Sequence, residues 1–156
     1  MNIEIRKETE KDYFETEKMV RESFWNKYQP GCNEHYMVHV MRDHETWLPE
    51  LSRIAVVDGE IAGVIMYFKA KITQADGKEV QIASFGPLCV SHKYRNLGIG
   101  KKLMAETLAL AKEAGFDAYY IDHTSALWPQ AAAGLPFSAI EFQSKGDAVA
   151  DLMEDL

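Results

Sequence analysis

Apolar and polar residues alternate at the start of the chain, which is typical of a β-strand. The alternation covers Asn2–Lys7 and places two isoleucines on one face. A helix is then expected from Thr9, as its N-cap, to about Phe24. A second helix is predicted over Glu34–His44, so the chain opens with one strand and two helices.

Two turn signals divide the middle of the chain into three strands. Asp58-Gly59 is typical of a two-residue hairpin loop, and it separates the predicted strands Arg53–Val57 and Glu60–Thr73. Asp76-Gly77 marks a second turn before a fourth strand over about Glu79–Val90. Strands that follow one another through such turns pair antiparallel.

A longer helix comes next. Apolar residues recur at helical spacing over about Gly98–Ala114, and Gly115 is a natural residue to end the helix. Asp117–Asp122 is predicted as a fifth strand. Weaker signals follow for a helical turn and two late strands, at Ala131–Ala133, Phe137–Gln143 and Ala148–Met153. The sequence therefore predicts one α/β domain over residues 1–156, with a mixed, mostly antiparallel central sheet flanked by helices.

The composition is that of an ordinary soluble domain, with 47% hydrophobic and 26% charged residues among 156. Two cysteines, Cys32 and Cys89, are too few for a disulfide framework or a four-thiolate metal site, and no metal is expected. Charged residues near the first methionine argue against a signal peptide. The longest apolar run, Ile61–Phe68, is too short to cross a bilayer, so a cytoplasmic protein without a membrane partner is expected.

The net charge of −7 argues against a nucleic-acid-binding domain, which would usually show a basic face. One stretch, from Val80 to Ala105, nevertheless contains no Asp or Glu. Its basic residues are His92, Lys93, Arg95, Lys101 and Lys102. A local basic site in an acidic protein favours a small anionic ligand, with a solvated surface as the ordinary alternative.

This basic stretch spans a strand end, a glycine-bearing turn and a helix start. The first N–H groups of a helix have no partner inside it and carry the positive end of its dipole, so they attract anions. Gly98 and Gly100 would let a diphosphate approach the backbone, and Arg95 adds a planar cation for phosphate oxygens. For the two glycines alone, plain turn chemistry is an equally good explanation.

Two competing glycine motifs are excluded. A dinucleotide-binding motif needs a third glycine where Leu103 stands. A nucleotide-triphosphate loop needs Ser or Thr after its Gly-Lys pair, and here Gly100-Lys101 is followed by Lys102.

Gly86-Pro87 interrupts the fourth strand. Proline donates no ladder hydrogen bond and therefore lies at edges or bulges. A bulge here would splay the fourth strand from the fifth and leave backbone groups of Leu88, Cys89 and Val90 unpaired. Such groups can pair with an extended, amide-bearing ligand, and pantetheine is one. The alternative is a strand that merely starts at Pro87.

The stretch Val90–Leu103 resembles motif A of the GNAT superfamily of N-acetyltransferases. That motif is written Q/R-x-x-G-x-G/A and is matched by Arg95, Gly98 and Gly100. The order of elements over about Ile3–Ile121 is also similar to that fold. The preceding segment, Phe-Gly-Pro-Leu, resembles a bacterial and archaeal subgroup of predicted N-acetyltransferases.

The resemblance implies acetyl-CoA as cosubstrate and direct acetyl transfer to a primary amine of a small molecule or peptide. It places pantetheine along Leu88, Cys89 and Val90. It places the pyrophosphate on the backbone amides of Arg95, Asn96, Leu97, Gly98, Ile99, Gly100 and Lys101.

The segment after the fifth strand departs from the family pattern. Similar subgroup members carry Tyr-Tyr-Pro-Arg-Phe-Gly-Phe there, and the superfamily often uses a tyrosine in this region to protonate the departing thiolate. Trp128 stands near the expected tyrosine, and an indole N–H is a poor acid. If a side-chain acid is used, Tyr120 is preferred, because it shares a strand face with Asp122. The alternative function is a non-catalytic acyl-CoA sensor or interaction domain.

Other catalytic candidates come from the strand ends. The backbone N–H of Leu88 or Cys89 is a candidate oxyanion donor, whereas packing explains the Cys89 thiol better than an acyl-cysteine role. Asp122 or His123 is a candidate base, with a strand-end cap or surface pair as the alternative. Scattered aromatic residues are candidates for the acceptor pocket, with packing as the alternative: Trp25, Tyr28, His35 and Tyr36. The oligomeric state is left open, with a homodimer among the options.

Overall fold

The computed structural model describes residues 1–73, 76–116 and 119–120. The elements are β1 (Ile3–Arg6), α1 (Tyr13–Phe24), α2 (Glu34–Met41), β2 (Arg53–Val57), β3 (Glu60–Thr73), β4 (Glu79–Val90), a short 3₁₀ turn (His92–Tyr94), α3 (Ile99–Glu113) and β5 (Tyr119–Tyr120). The predicted order of strands and helices is confirmed over these residues.

The five strands form one sheet in the order β1-β2-β3-β4-β5. The first four strands pair antiparallel, and β5 pairs parallel to β4. The predicted α/β fold with a mostly antiparallel sheet is therefore confirmed. Asp58 and Gly59 both have positive φ angles, 48° and 88°, which is the conformation that a tight hairpin turn needs.

Each face of the sheet is covered by a different helical layer. On one face, buried residues of α1 and α2, such as Met19, Val20 and Val38, pack on Ile54 and Val64. The other face is covered by α3, and its shared core is formed by Ala55, Ile65, Leu88, Val90, Ile99, Leu103 and Met104 among others. The helices thus bury the two apolar surfaces of a single central sheet.

The first helix begins later than the sequence predicts, at Tyr13 rather than just after Thr9. The Asp12 carboxylate accepts hydrogen bonds from the Thr9 N–H and hydroxyl at 2.8 and 2.7 Å. It also pairs with Arg6 at 2.8 Å. These local bonds hold residues 9–12 in a turn, and the helix starts only after it.

The second helix ends at Met41, earlier than the predicted His44. The next residue, Arg42, turns its guanidinium inward, where it pairs with Glu8 and Glu17. Its charged group also lies 3.9 Å from the Tyr13 ring centroid. At Asp43 and His44 the backbone N–H groups donate to the carbonyls three residues earlier, as in a 3₁₀ turn, rather than four residues earlier, as in an α-helix.

The predicted irregularity at Gly86-Pro87 is a β-bulge. Tyr67 of β3 pairs with Phe85 and Ile65 pairs with Leu88, so one residue of β3 opposes two of β4. The strand is bulged and continuous rather than broken, because β3 pairs with β4 on both sides of the bulge. Before the bulge, β5 pairs with β4 at positions 83 and 84. The expected splay beyond those positions stays a prediction, since residues 121–156 lie outside the described part.

Candidate active site

The connection from β4 to α3 begins as a continuation of the sheet. The Ser91 N–H donates to the Ala62 carbonyl at 2.8 Å, which ties the connection to β3. The 3₁₀ turn follows, with the Tyr94 N–H donating to the Ser91 carbonyl at 2.9 Å. His92 Nε2 lies 3.3 Å from the carbonyl oxygen of Glu22 on α1. The connection therefore has fixed attachments to both the sheet and a helix.

Between the 3₁₀ turn and α3, the backbone adopts the left-handed conformation at two positions. Arg95 is extended, whereas Asn96 and Gly98 have φ angles of 63° and 74° in the left-handed region. Left-handed residues next to a helix start can turn successive N–H groups toward a common side, which is the geometry of many anion-binding loops. A Cβ built on Gly98 would meet no heavy atom within 4 Å, so the space beside it is open.

Helix α3 begins without a side-chain cap. Gly98 is its N-cap residue and has no side chain to accept from the first turn, while its carbonyl accepts from the Lys102 N–H at 3.0 Å. The first turn contains no acidic residue. Lys101 and Lys102 are exposed there, and Arg95 is half-buried. Uncapped amides, a positive dipole end and nearby cations together suit a phosphate group.

The hydrogen-bonding directions of β4 determine which of its backbone groups face away from β3. Ser91 and Ala62 form a hydrogen-bonded pair, and the register continues unchanged to Cys89 with Val64. Because antiparallel pairing alternates, Cys89 exchanges its backbone bonds with Val64. Leu88 and Val90 direct their N–H and C=O groups to the opposite side, toward the β5 edge. Of the two predicted oxyanion donors, Leu88 therefore has the suitable direction, and the Cys89 amide is used by the sheet.

The Cys89 side chain faces α1 and is fully buried. Its Sγ lies 3.7 Å from Met19 Sδ. Burial raises the pKa of this thiol to about 12, so it stays protonated at neutral pH. A thiol in this state is a poor nucleophile, which supports the packing interpretation over an acyl-cysteine.

The predicted acceptor-pocket aromatics lie at the ends of α1 and α2. Trp25, Tyr28 and Tyr36 are exposed by 49%, 41% and 65%. His35 Nδ1 lies 3.3 Å from Cys32 Sγ. The pKa of the Cys32 thiol is raised, mainly by burial, so this pair is not an activated thiolate. The exposed rings lie at the surface, where Trp25 packs against Arg21 and Tyr28 against Phe24. Their role in an acceptor pocket stays a prediction.

The predicted acid and bases lie at the edge of what is described or beyond it. The backbone of Tyr120 pairs with Ser84 at the end of β5. Asp122, His123 and Trp128 lie outside the described residues. Their proposed roles stay predictions.

Gly63 of β3 also shapes the site, although the sequence did not predict this role. A Cβ at Gly63 of β3 would lie 3.1 Å from the Cys89 carbonyl oxygen and 3.1 Å from Leu103 Cδ1. It would also lie 3.4 Å from Ile99 Cγ2. Gly63 therefore allows the start of α3 to approach the sheet closely. The sequence feature that could have indicated this role is a glycine inside an otherwise apolar strand, which often marks the close approach of another segment.

Comparisons with known proteins agree with this geometry. Residues 14–133 match the family model of the acetyltransferase (GNAT) family. A GNAT family acetyltransferase from Brucella melitensis, solved in complex with acetyl-CoA, is 28% identical with a TM-score of 0.65, over 76% of this chain and 73% of that one. YhbS from Escherichia coli, a GNAT family N-acetyltransferase solved with CoA, is 26% identical with a TM-score of 0.64, over 76% and 61% of the two chains.

A curated protein is also similar. Protein CotJC of Bacillus subtilis (strain 168) is 35% identical over 100 residues, which make up 64% of this chain and 53% of CotJC. The chain thus spans about half the length of this relative.

Within the described part of the chain, none of the helices combines the length and hydrophobicity needed to span a membrane.

Proposed function

The chain belongs to the acetyltransferase (GNAT) family, and from this membership we propose that it transfers an acetyl group from acetyl-CoA to a primary amine of a small molecule or peptide. The observation that carries the proposal is the uncapped start of α3 beside the backbone groups of Leu88 and Val90 that face away from β3. The relatives solved with acetyl-CoA and CoA support the cosubstrate.

The residues of the site fit such a cosubstrate. The backbone amides from Arg95 to Lys101, which include the first turn of α3, are proposed to hold the pyrophosphate, with the Arg95 guanidinium as a further donor. The open space beside Gly98 lets an anion reach the backbone. The outward amides and carbonyls of Leu88 and Val90 suit the amide-bearing pantetheine arm, in the manner of an added strand.

When bound, acetyl-CoA supplies a thioester whose carbonyl carbon can be attacked by an amine. The Leu88 N–H is proposed to donate a hydrogen bond to the thioester oxygen, where negative charge develops. Because Leu88 lies in a β-sheet next to a bulge, this donor is held in place before the reaction. The substrate ammonium must lose a proton before attack, and Asp122 or His123 is proposed as the base. Tyr120 is the preferred proton donor to the departing thiolate.

The experiment for the cosubstrate is calorimetric titration of the protein with CoA. Gly100→Val would place a branched side chain in the first turn of α3, where Gly100 is buried, and it should abolish measurable binding. A thermal unfolding curve serves to show that the variant is folded. Unchanged CoA affinity in a folded variant would refute the assignment of the pyrophosphate to this turn.

The acceptor requires a separate experiment. Thiol release from acetyl-CoA would be screened over polyamines, amino acids, aminoglycosides and peptides with free N-termini. Release with one class identifies the acceptor and establishes the transferase. CoA binding without thiol release in the presence of any amine would favour a non-catalytic acyl-CoA sensor. That alternative is consistent with Trp128, which stands near the position where the family often has a catalytic tyrosine.

A further inference from the structure

The side chain of Glu60 joins two segments that are distant in sequence. Glu60 is the first residue of β3, directly after the β2–β3 turn. Its Oε2 atom accepts hydrogen bonds from Lys93 Nζ and from the Tyr94 hydroxyl, both at 2.6 Å. Lys93 and Tyr94 belong to the 3₁₀ turn that leads into Arg95. One carboxylate oxygen therefore holds the last two residues before the proposed phosphate-binding backbone.

We propose that Glu60 is a positioning residue for the cosubstrate's pyrophosphate, acting through the 3₁₀ turn without touching the ligand. The inference rests on the proposed function, because it presupposes that the amides from Arg95 onward bind pyrophosphate. Holding Lys93 and Tyr94 sets the direction in which the chain leaves the turn. A fixed exit direction restricts the conformations of the backbone at positions 95–101, which lowers the entropic cost of binding.

Electrostatics alone predicts the opposite effect. A carboxylate near a polyanion repels it, and Glu60 also cancels the charge of Lys93. If charge dominated, removal of Glu60 would tighten CoA binding. If positioning dominates, the same removal weakens it. The sign of the change therefore separates the two explanations.

The carboxylate is available for this role at neutral pH. Hydrogen bonds from Lys93 and from Tyr94 lower the pKa of Glu60 below its usual value. A carboxyl group whose pKa is lower in the folded than in the unfolded protein stabilises the fold fully at a pH above the unfolded-state pKa. This stabilisation is lost as the pH falls through the folded-state pKa. The contact is thus intact under ordinary assay conditions.

Glu60→Ala and Glu60→Gln remove the same charge but differ in what remains. Glutamine keeps an oxygen that can accept from Lys93 and Tyr94, whereas alanine keeps none. Calorimetric titration with CoA should give about fivefold weaker binding for Glu60→Ala and a smaller loss for Glu60→Gln, in line with exposed charge pairs. Glu50→Ala is the matched control, because Glu50 forms a similarly exposed pair with Lys7, away from the connection. Its CoA affinity should equal that of the wild type.

Thermal unfolding of each variant separates positioning from general destabilisation, and the melting temperatures should agree within about 3 °C, because exposed pairs add little stability. Equal or tighter CoA binding by Glu60→Ala would overturn the inference. A wild-type protein that does not bind CoA would instead overturn the proposed function. Tyr94→Phe should weaken CoA binding in the wild type and add nothing in Glu60→Ala. Additive losses would show that the two side chains act separately, against the proposal.

Discussion

An alanine at position 63 would press the start of α3 away from the sheet. The added Cβ would lie 3.1 Å from the Cys89 carbonyl oxygen, 3.1 Å from Leu103 Cδ1 and 3.4 Å from Ile99 Cγ2. Cys89 is fixed in the ladder with β3, and both helical side chains are fully buried. We expect the helix to shift by a few tenths of an ångström to relieve the contacts with Leu103 and Ile99, while the contact with the Cys89 carbonyl strains the ladder between β3 and β4.

The size of the effect follows from two opposing terms. Overfilling a packed interior by one methyl group costs about 1–3 kcal/mol. Replacing a glycine within a strand recovers about 0.5–1 kcal/mol, because the unfolded chain is less flexible. The net loss is therefore about 1 kcal/mol, or roughly 2–4 °C in Tm for a chain of this size. Because Ile99 begins α3, the shift also moves the uncapped amides, and CoA affinity should fall by about threefold or more.

The assay pairs thermal unfolding with calorimetric titration of CoA for Gly63→Ala and Gly77→Ala. Gly77 lies in the β3–β4 turn with a φ of 84°, and no heavy atom lies within 4 Å of a Cβ built there. Alanine at Gly77 costs about 1–2 kcal/mol through backbone strain alone. It should therefore lower Tm without changing CoA affinity. If Gly63→Ala lowers Tm while CoA affinity stays at the wild-type value, the link between helix position and binding is refuted.

Three further outcomes are expected. In a Cys32→Ser background, iodoacetamide should label Cys89 only when the protein unfolds, because that thiol is buried with a pKa of about 12; labelling of the native protein at the rate of an exposed cysteine would contradict this. Arg42→Met should lower the urea-determined free energy of unfolding by about 3–5 kcal/mol, because it leaves the buried Glu8 carboxylate without its cation and Glu17 with only His39, and a loss below 1 kcal/mol would contradict it. The pKa of Asp12 is held well below its usual value, chiefly by hydrogen bonding to Arg6, so its stabilisation is complete above about pH 4 and is lost as the pH falls further; unfolding free energies should therefore decline less steeply below pH 4 in Asp12→Asn than in the wild type.

Local sequence signals predicted the strand boundaries well. The bounds of β2, β3 and β4 are as predicted, because Asp58-Gly59 adopts the positive φ angles that this dipeptide tolerates and the strands on either side follow from the turn. The bulge was predicted for a similar reason, since proline within a strand removes a ladder donor. These features depend on residues that are neighbours in sequence.

Features that depend on distant residues were not predictable. Helix α2 ends early where Arg42 reaches Glu8 and Glu17, which lie far from it in the sequence. The contact between Glu60 and the 3₁₀ turn joins positions more than thirty residues apart. No periodicity or dipeptide signal encodes such a pair, because its formation requires the sheet to be assembled first.

The proposed site depends most on a strand that contributes no group to it. In β3, the Ala62 carbonyl accepts a hydrogen bond from the Ser91 N–H, and Gly63 allows α3 to approach closely. The Glu60 carboxylate, also in β3, binds the 3₁₀ turn. These three contacts come from positions 60, 62 and 63, and they fix the two ends of the proposed phosphate-binding backbone and the strand end before it. A binding backbone made of glycines and left-handed residues has little stiffness of its own, so its shape must be imposed by a rigid neighbour. The start of β3 is that neighbour. CoA affinity should therefore be as sensitive to positions 60–63 as to many positions that are proposed to touch the cosubstrate.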